Sequence, residues 1–471
     1  MEESRQEKNP CSVIILAAGL GTRMKSERVK VLHPLLGRPM IFFAADLSLK
    51  IGAEKTVLVV GHQAEEVQKA LAGKPVEFAL QKAQMGTGHA VQQAMPHLQE
   101  SRGAVLVLCG DVPMLRPETL HDLIRHHDET SAAVTLLTTH LPSPAGYGRI
   151  VRSHSGNILK IVEEKDATEQ QKAIREINTG IYCFDAGFLR TSIASLTNRN
   201  VQHEYYLTDL IEIAQYEHKQ VSGLTCPDPD EVMGINSRDQ MAEAEAILRK
   251  RINLRHMRDG VTLLDPSRTY IGMNVAIGPD TTLYPGCYLE GKTRIGSGCV
   301  IGPNTRIVNC EIGNQVEIRG FCFLTGSRVW DRAVLGPFSH LRPGTEIHEA
   351  AHIGNFVEVK NSVIGAGSKV NHLSYIGDTE MGEGVNIGAG TITCNYDGIH
   401  KHKTVIGNQV FVGSDTQFVA PVRIGDRSMI GAGSTITRDV PEDALGLSRV
   451  EQKNVEQGAK KLFDRLRNKK K

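Results

Sequence analysis

The chain has 471 residues, too many for one ordinary core, so its length favours two or three domains. It is 40% hydrophobic and 23% charged with a formal net charge of +1, which argues against a nucleic-acid binder with its basic surplus. The opening MEESRQEKNP lacks the apolar stretch of a signal peptide, and no run approaches the roughly 18 apolar residues of a membrane helix. The nine cysteines include no CxxC pair, so neither a disulfide framework nor a zinc site is expected. Composition therefore predicts a protein of the reduced cytoplasm, without stable membrane insertion.

Residues 11–235 alternate apolar runs with helical stretches. Val13–Leu16, Thr56–Val60, Ala104–Cys109, Ala133–Leu137 and Gly180–Phe184 are continuous and rich in β-branched residues. Such runs suit strands buried on both faces of a mostly parallel, Rossmann-like sheet, which binds ligands at the carboxyl ends of its strands.

The first run leads into LAAGLGTRM, where Leu16, Ala17, Ala18 and Gly19 leave backbone N–H groups open to an anion and Arg23 adds positive charge. It is neither a Walker A loop nor GxGxxG, and by itself it reads equally well as a tight turn. Lys30 supplies a second phosphate contact or, alone, a solvated lysine. QMGTGHA places Gly86 and Thr87 in a second small-residue turn, with Gln81 positioned to read a base edge. Asp111 in CGDVP follows a buried strand, a place suited to holding Mg²⁺ on a phosphate. A turn-capping Asp is the plainer reading of an isolated DVP. The signals gain force because they fall on one edge of one sheet.

The segment after Gly234 predicts a connecting helix. Ser237 and Gln240 form a capping box, and Met241, Ala244, Leu248 and Ile252 give a stripe that runs out near Gly260. The expected division is residues 1–235, a linker helix at 236–260, and a second domain at 261–471.

That second domain repeats every six residues. Aliphatics stand at Ile271, Ile277, Leu283, Leu289, Ile295, Ile301 and Ile307, slip by one to Ile312, and continue to Ile436. Small or β-branched residues follow four places later, as at Thr281, Cys287, Thr293, Cys299 and Thr305. A helix repeats at 3.6 and a strand at 2, so six calls for a short strand and a sharp corner, the unit of a parallel β-helix. Cys287 and Cys299 occupy the small-residue slot, so packing explains them better than metal binding. The repeat breaks once, in TCNYDGIHKHKTV between Thr393 and Val405, and insertions in solenoids loop outward and often bind. The basic tail KKLFDRLRNKKK has the composition of a nucleic-acid patch, although a solvated or partner-touching end accounts for it more simply.

LAAGLGTRM, Lys30, QMGTGHA, CGDVP, PAGYGRI, VEEKDA, EINTG and GINSR together resemble the sugar-nucleotidyltransferase family. LRPG, NFVEVK, NHLSYIGD, NIGAGTITCNYDG and VGSDTQ are similar to the acetyltransferase half of the bifunctional N-acetylglucosamine-1-phosphate uridylyltransferases/glucosamine-1-phosphate N-acetyltransferases. The resemblance implies an α/β domain joined to a left-handed β-helix that forms homotrimers. It implies synthesis of UDP-N-acetylglucosamine, a precursor of peptidoglycan and lipopolysaccharide, from UTP, acetyl-CoA and glucosamine 1-phosphate with Mg²⁺.

By the same matching, Leu16, Ala17, Ala18, Gly19, Lys30, Gln81, Gly86, Thr87, Gly148, Glu163, Asn178 and Asn236 would contact nucleotide and sugar. Asp111 and Asn236 would hold Mg²⁺, and Arg23 and Lys30 would face the triphosphate. Leu20 departs from the family, where many members carry a polar or basic residue. In the repeat domain His372 would be the general base, Arg342 and Lys360 would clamp the sugar phosphate, and Lys401 would be a further substrate-binding residue. Tyr375, Asn386, Asn395 and Tyr396 would place the sugar, and Ala389, Ser414, Ala432 and Arg449 would bind acetyl-CoA. The alternative is a single-activity sugar-1-phosphate nucleotidyltransferase whose β-helix regulates or only scaffolds. A purely regulatory prism would need no phosphate clamp beside a base.

Overall fold

A computed structural model describes residues 10–469, which fall into two compact units, 10–249 and 250–469. The division lies inside the helix Arg238–Arg258, on which Ala244, Leu248 and Ile252 are buried. Gln240 reaches one residue further back than a capping box at Ser237 requires: its Oε1 accepts the Asn236 N–H at 2.8 Å. Among the described residues no helix is long and apolar enough to cross a membrane.

The first unit is built on a mixed sheet in the order Val221–Thr225, Val134–His140, Glu176–Asp185, Ala104–Cys109, Cys11–Leu16, Lys55–Val60, Glu77–Leu80. Successive side chains of a strand point to opposite faces, so Ile14, Val57 and Val105 pack in one helix-covered layer and Val13, Leu58 and Leu106 in the other. Burial on both faces is why these segments read as unbroken apolar runs. The strand containing Gly180–Phe184 departs from the parallel expectation. It runs antiparallel to both neighbours, pairing Tyr182 with Val107 on one side and with Leu136 on the other. Its apolar run shows that both faces are covered and carries no information about direction.

The second unit is a parallel β-helix. Its short strands form three sheets of 11, 10 and 9 strands among the described residues, and each strand pairs in parallel with one about three hexads on. Ile271 pairs with Leu289, Leu289 with Ile307, and Ile307 with Leu324, and all four are buried. The column continues to Thr393 and Phe418, a small residue beneath a large one that keeps the interior filled. The small-residue slot also satisfies backbone: Thr281 Oγ1 donates to the Gly296 carbonyl at 2.8 Å, and Cys299 Sγ to that of Gly313 at 3.1 Å. Burial pushes the Cys287 thiol up to about 11, so it packs as an inert side chain. All nine cysteines are free.

A fully buried isoleucine contributes roughly 2 kcal/mol, and truncating it adds the cost of a cavity. Ile301 is 0% exposed and its neighbour Val300 41%. Ile301→Ala should therefore lower the unfolding free energy of the β-helix by about 3 kcal/mol, and Val300→Ala by no more than about 0.5 kcal/mol. Urea unfolding followed by circular dichroism checks the contrast, and equal losses would contradict the inward column.

Candidate functional site

In the first unit the carboxyl ends of the central strands open onto a cavity of about 460 Å³. Leu16, Ala17, Ala18, Gly19, Lys30, Gln81, Gly86, Thr87 and Asp111 all line it, so nine residues expected from separate motifs meet in one place. Leu20, 57% exposed, lines it as well, presenting an apolar side chain to the opening. Gly21, Thr22, Val31, Gln84, Ala90, Cys109 and Glu204 also line it. Arg23 lies exposed in the turn Thr22–Met24 and does not line the cavity.

Two glycines are there for steric reasons. Gly21 has φ +65°, and a Cβ on it would lie 2.5 Å from Lys30 Cβ, so glycine lets the lysine stem pass under the loop. Gly86 has φ +101°, and a Cβ there would meet the Tyr205 carbonyl oxygen at 2.6 Å. The Gln81 amide, 3% exposed, is fixed by hydrogen bonds from Nε2 to the Gly86 carbonyl at 3.1 Å and with His89 Nδ1 at 3.0 Å.

Lys30 is not a solvated lysine. It is 9% exposed, and its ammonium makes a short ion pair with Asp111 and donates to Asn236 Oδ1 at 2.6 Å. Asn236 is brought there by the Ile235 N–H, which donates to the Asp111 carbonyl at 2.9 Å, and by the bond from its own N–H to Gln240. One cation thus sits between a carboxylate and an amide oxygen supplied by segments far apart in sequence. A divalent ion taking these two oxygens would fill its remaining positions with water and phosphate, as Mg²⁺ commonly does. No group of three or more His, Cys, Asp or Glu side chains among the described residues forms a ligand cluster.

Gly148, Glu163 and Asn178 gather beside one another. Asn178 N–H donates to the Gly148 carbonyl at 2.8 Å, and a Cβ on Gly148 would lie 3.5 Å from both Glu163 Oε2 and Asn178 Cβ. Burial pushes the Glu163 carboxyl above its ordinary range despite a hydrogen bond from Thr208. Cys109 Sγ, 3.5 Å from the Gly180 carbonyl, links this group to the cavity. Burial pushes that thiol up to about 12, which leaves it neutral.

On the β-helix the expected residues separate into two groups. Arg342 and Lys360 occupy the same place on successive coils of one sheet, and Tyr375 stands on the next coil of that sheet in register with Glu358. Arg342 Nη1 lies 2.9 Å from Glu358 Oε1, and Lys360 Nζ lies 3.2 Å from Asp378 Oδ2. Asn395, at the root of the insertion, donates to Asp378 and stands 3.5 Å from the Tyr375 hydroxyl. Tyr396 and Lys401 pair across the insertion in an isolated antiparallel bridge, and Tyr396 is 60% exposed. Lys360 beside it, with Arg342 further off, holds the Lys401 ammonium below the usual lysine range. Burial alone would raise the Asp378 carboxyl, but hydrogen bonds from Asn361, Asn395 and Lys360 keep it below the usual carboxylate range. Three cations facing two acids leave a surplus of positive charge that suits an anion.

The other group runs up one corner of the prism. Gly390 N–H donates to the His372 carbonyl at 3.2 Å, Asp415 to Ala389 at 2.7 Å, and Gly433 to Ser414 at 2.9 Å. Arg449 Nη1 closes the column on the Ala432 carbonyl at 2.8 Å. His372, Ala389, Ser414 and Ala432 therefore occupy the same place on consecutive coils. Asn386 precedes that corner on the strand Asn386–Ile387 and stands apart from the Lys360 group. Glu358 and Asp378 were missed because each is one of 53 acids in the chain until the coil register sets it beside a cation.

Comparison with known proteins agrees with both halves. A family model for the MobA-like NTP transferase domain matches residues 13–176, and one for bacterial transferase hexapeptide repeats matches 268–309 and 403–438. The chain is similar to the "Bifunctional protein GlmU" of Syntrophotalea carbinolica, 55% identical with 94% of this chain and 96% of that one covered. It is similar to the protein of the same name from Pelobacter propionicus, 52% identical over 94% and 97% of the two chains. The Geobacillus thermodenitrificans protein of that name is 50% identical over 97% and 98%. The chain belongs to the family of the bifunctional protein GlmU.

Proposed function

We propose that the cavity at the sheet edge and the charged coils of the prism are the two active sites of this enzyme. The protein is a bifunctional transferase of UDP-N-acetylglucosamine synthesis, a nucleotidyltransferase joined to a hexapeptide-repeat acyltransferase. The observation that carries two sites, against a regulatory or scaffolding prism, is the cluster of Arg342, Lys360 and Lys401 with only Glu358 and Asp378 to neutralise it.

In the first site the backbone of Leu16–Gly19 receives the nucleotide phosphates, and Gln81, Gly86 and Thr87 flank the base. Gly148, Glu163 and Asn178 hold the sugar. Asp111 and Asn236 would hold Mg²⁺, which when bound would supply neutralisation of phosphate charge. Lys30 exchanges its carboxylate for the triphosphate, and Arg23 closes over it from the exposed turn. The sugar 1-phosphate oxygen attacks the α-phosphorus of UTP, and the bond to the departing pyrophosphate breaks. Positioning and neutralisation supply most of the rate.

In the second site Arg342, Lys360 and Lys401 clamp the phosphate of glucosamine 1-phosphate, and Tyr375, Asn386, Asn395 and Tyr396 place the sugar and polarise the thioester carbonyl. The amine nitrogen forms a bond to the acetyl carbon of acetyl-CoA, the C–S bond breaks, and His372 takes the amine proton. Ala389, Ser414, Ala432 and Arg449 hold the coenzyme along their corner. The His372 corner and the Lys360 cluster lie on different sheets of the prism, which supports a homotrimer in which neighbouring copies complete each pocket. The enzyme works in the cytoplasm, where its substrates and reduced thiols are found.

Glucosamine 1-phosphate, acetyl-CoA, UTP and Mg²⁺ given together should yield the finished sugar nucleotide, and a chain that makes none fails this reading. Asp111→Asn should slow pyrophosphate release by about a hundredfold or more while leaving acetyl transfer unchanged. His372→Ala should do the reverse, by a similar factor, and loss of both reactions in either variant would contradict two separate sites.

The lowered Lys401 gives a pH signature. Its proton is lost at lower pH than that of an ordinary lysine, so the clamp weakens as pH rises through that range. The KM for glucosamine 1-phosphate should climb on the alkaline side, and Lys401→Arg should move the climb to higher pH. A profile identical in the two proteins would remove Lys401 from the clamp.

A further inference from the structure

Behind the cavity at the sheet edge, three side chains form a relay that ends at Gln81. Gln81 follows the strand Glu77–Leu80, and its backbone N–H donates to the Val60 carbonyl at 2.8 Å, which fixes the residue at the end of that strand. Its side chain lines the cavity yet is only 3% exposed. The loop then returns through Gly86 into the helix Thr87–Ala94, which carries His89 on its first turn and Gln93 one turn later. His89 is half-buried and does not line the cavity.

A side-chain amide has two hydrogens on its nitrogen and accepts only at its oxygen. Gln81 Nε2 places one hydrogen on the Gly86 carbonyl at 3.1 Å and the other on His89 Nδ1 at 3.0 Å. The Gly86 carbonyl can only accept, so the nitrogen end has to face it. Turning the amide over would set two oxygens against each other. Nδ1 then accepts as well, which puts the ring proton on Nε2. That atom stands 3.2 Å from Gln93 Nε2, and a half-turn of the Gln93 amide brings its oxygen to the proton.

The atom of the Gln81 amide left over is Oε1. Among the described residues it takes no hydrogen bond, and it is not one of the side-chain atoms sealed away from solvent. An acceptor is therefore what Gln81 offers to the cavity.

We propose that His89 is a positioning residue for base selection: by engaging the second amide hydrogen it holds the Gln81 oxygen toward the cavity, so the site takes a pyrimidine with an imino N–H and refuses one with a bare ring nitrogen. This rests on the reading that Gln81 flanks the base. Uracil N3 carries a hydrogen and donates to Oε1. Cytosine N3 carries a lone pair in the same place, so two acceptors would face each other with no proton between them. A site that leaves buried polar groups unpaired rejects the wrong ligand far more strongly than one that only lacks room for it. Thymine has the same imino group as uracil, and this amide does not separate those two. Without His89 the second amide hydrogen loses its partner. The amide can then turn its nitrogen toward the base, where cytosine N3 accepts it.

Steady-state rates with UTP and with CTP test the relay. His89→Leu should raise the KM for UTP about tenfold and lower the UTP-over-CTP ratio of kcat/KM by about tenfold or more. An unchanged KM for N-acetylglucosamine 1-phosphate checks that the unit is folded. His89→Asn returns an acceptor oxygen near the place of Nδ1 and should recover most of the ratio. The proposal is overturned if His89→Leu impairs UTP and CTP equally, which would make the histidine a packing residue, or if His89→Asn recovers nothing. Gln81→Ala keeps the two levels of inference apart. A Gln81→Ala enzyme with an ordinary KM for UTP would remove Gln81 from the base and overturn the reading beneath the proposal. A raised KM there, beside an unchanged ratio in His89→Leu, overturns the role of His89 alone.

Discussion

Identical positions in successive coils stand one above another because each short strand pairs in parallel with the strand about three hexads on. Everything in the second unit follows from that register. Inward it makes columns of aliphatics, with Thr, Ser and Cys slots that both fit the corner and satisfy the next coil's carbonyls. Outward it makes columns of chemistry: Arg342 over Lys360 and Glu358 over Tyr375 on one sheet, and His372, Ala389, Ser414 and Ala432 at one corner. A slip of one coil would leave the interior apolar and scatter the site. The core therefore tolerates what the surface does not, and the exact repeat length matters more to function than to burial.

The first unit solves the same problem of assembly by other means. Its sheet fixes the carboxyl ends of strands, and short loops then deliver one or two residues each to a common cavity. The decisive contact is the Lys30 ammonium between Asp111 and Asn236. Asp111 comes with the central strand Ala104–Cys109, whereas Asn236 arrives only after the chain has returned from the far edge strand Val221–Thr225. Closure of the site and completion of the unit are consequently one event.

Much of this was legible in the sequence, and the failures have physical causes. A six-residue period admits almost no fold but a coiled prism, so the second unit could be read coil by coil. Apolar runs identified the central strands and hid the direction of Glu176–Asp185, since burial on two faces looks alike in either sense. The loop Leu16–Gly19 stood out by its small residues, but the close approach of Lys30 beneath Gly21 depends on a loop conformation that no periodicity encodes. Asp378 had still less signal. It was one acid in a motif noted for its histidine, and its importance appears only when three side chains converge on it.

On the proposed reading of Arg342, Lys360 and Lys401 as a phosphate clamp, that acid bears on how the clamp would release as well as grip. The Arg342–Glu358 pair is about two-fifths exposed on each side, and pairs of that kind contribute at most about 1 kcal/mol. Arg342 can exchange Glu358 for a phosphate at little cost and take it back when the product leaves. Lys360 and Asp378 are far less exposed, at 15% and 13%, and two amides also hold the carboxylate, so this pair keeps its geometry. One cation of the clamp is then held fixed and another is exchangeable, with Lys401 brought close by the insertion against the repulsion of both. A clamp of three unpaired cations would hold phosphate more tightly and be more strained when empty. The two acids moderate both states, which is what a site that must turn over requires.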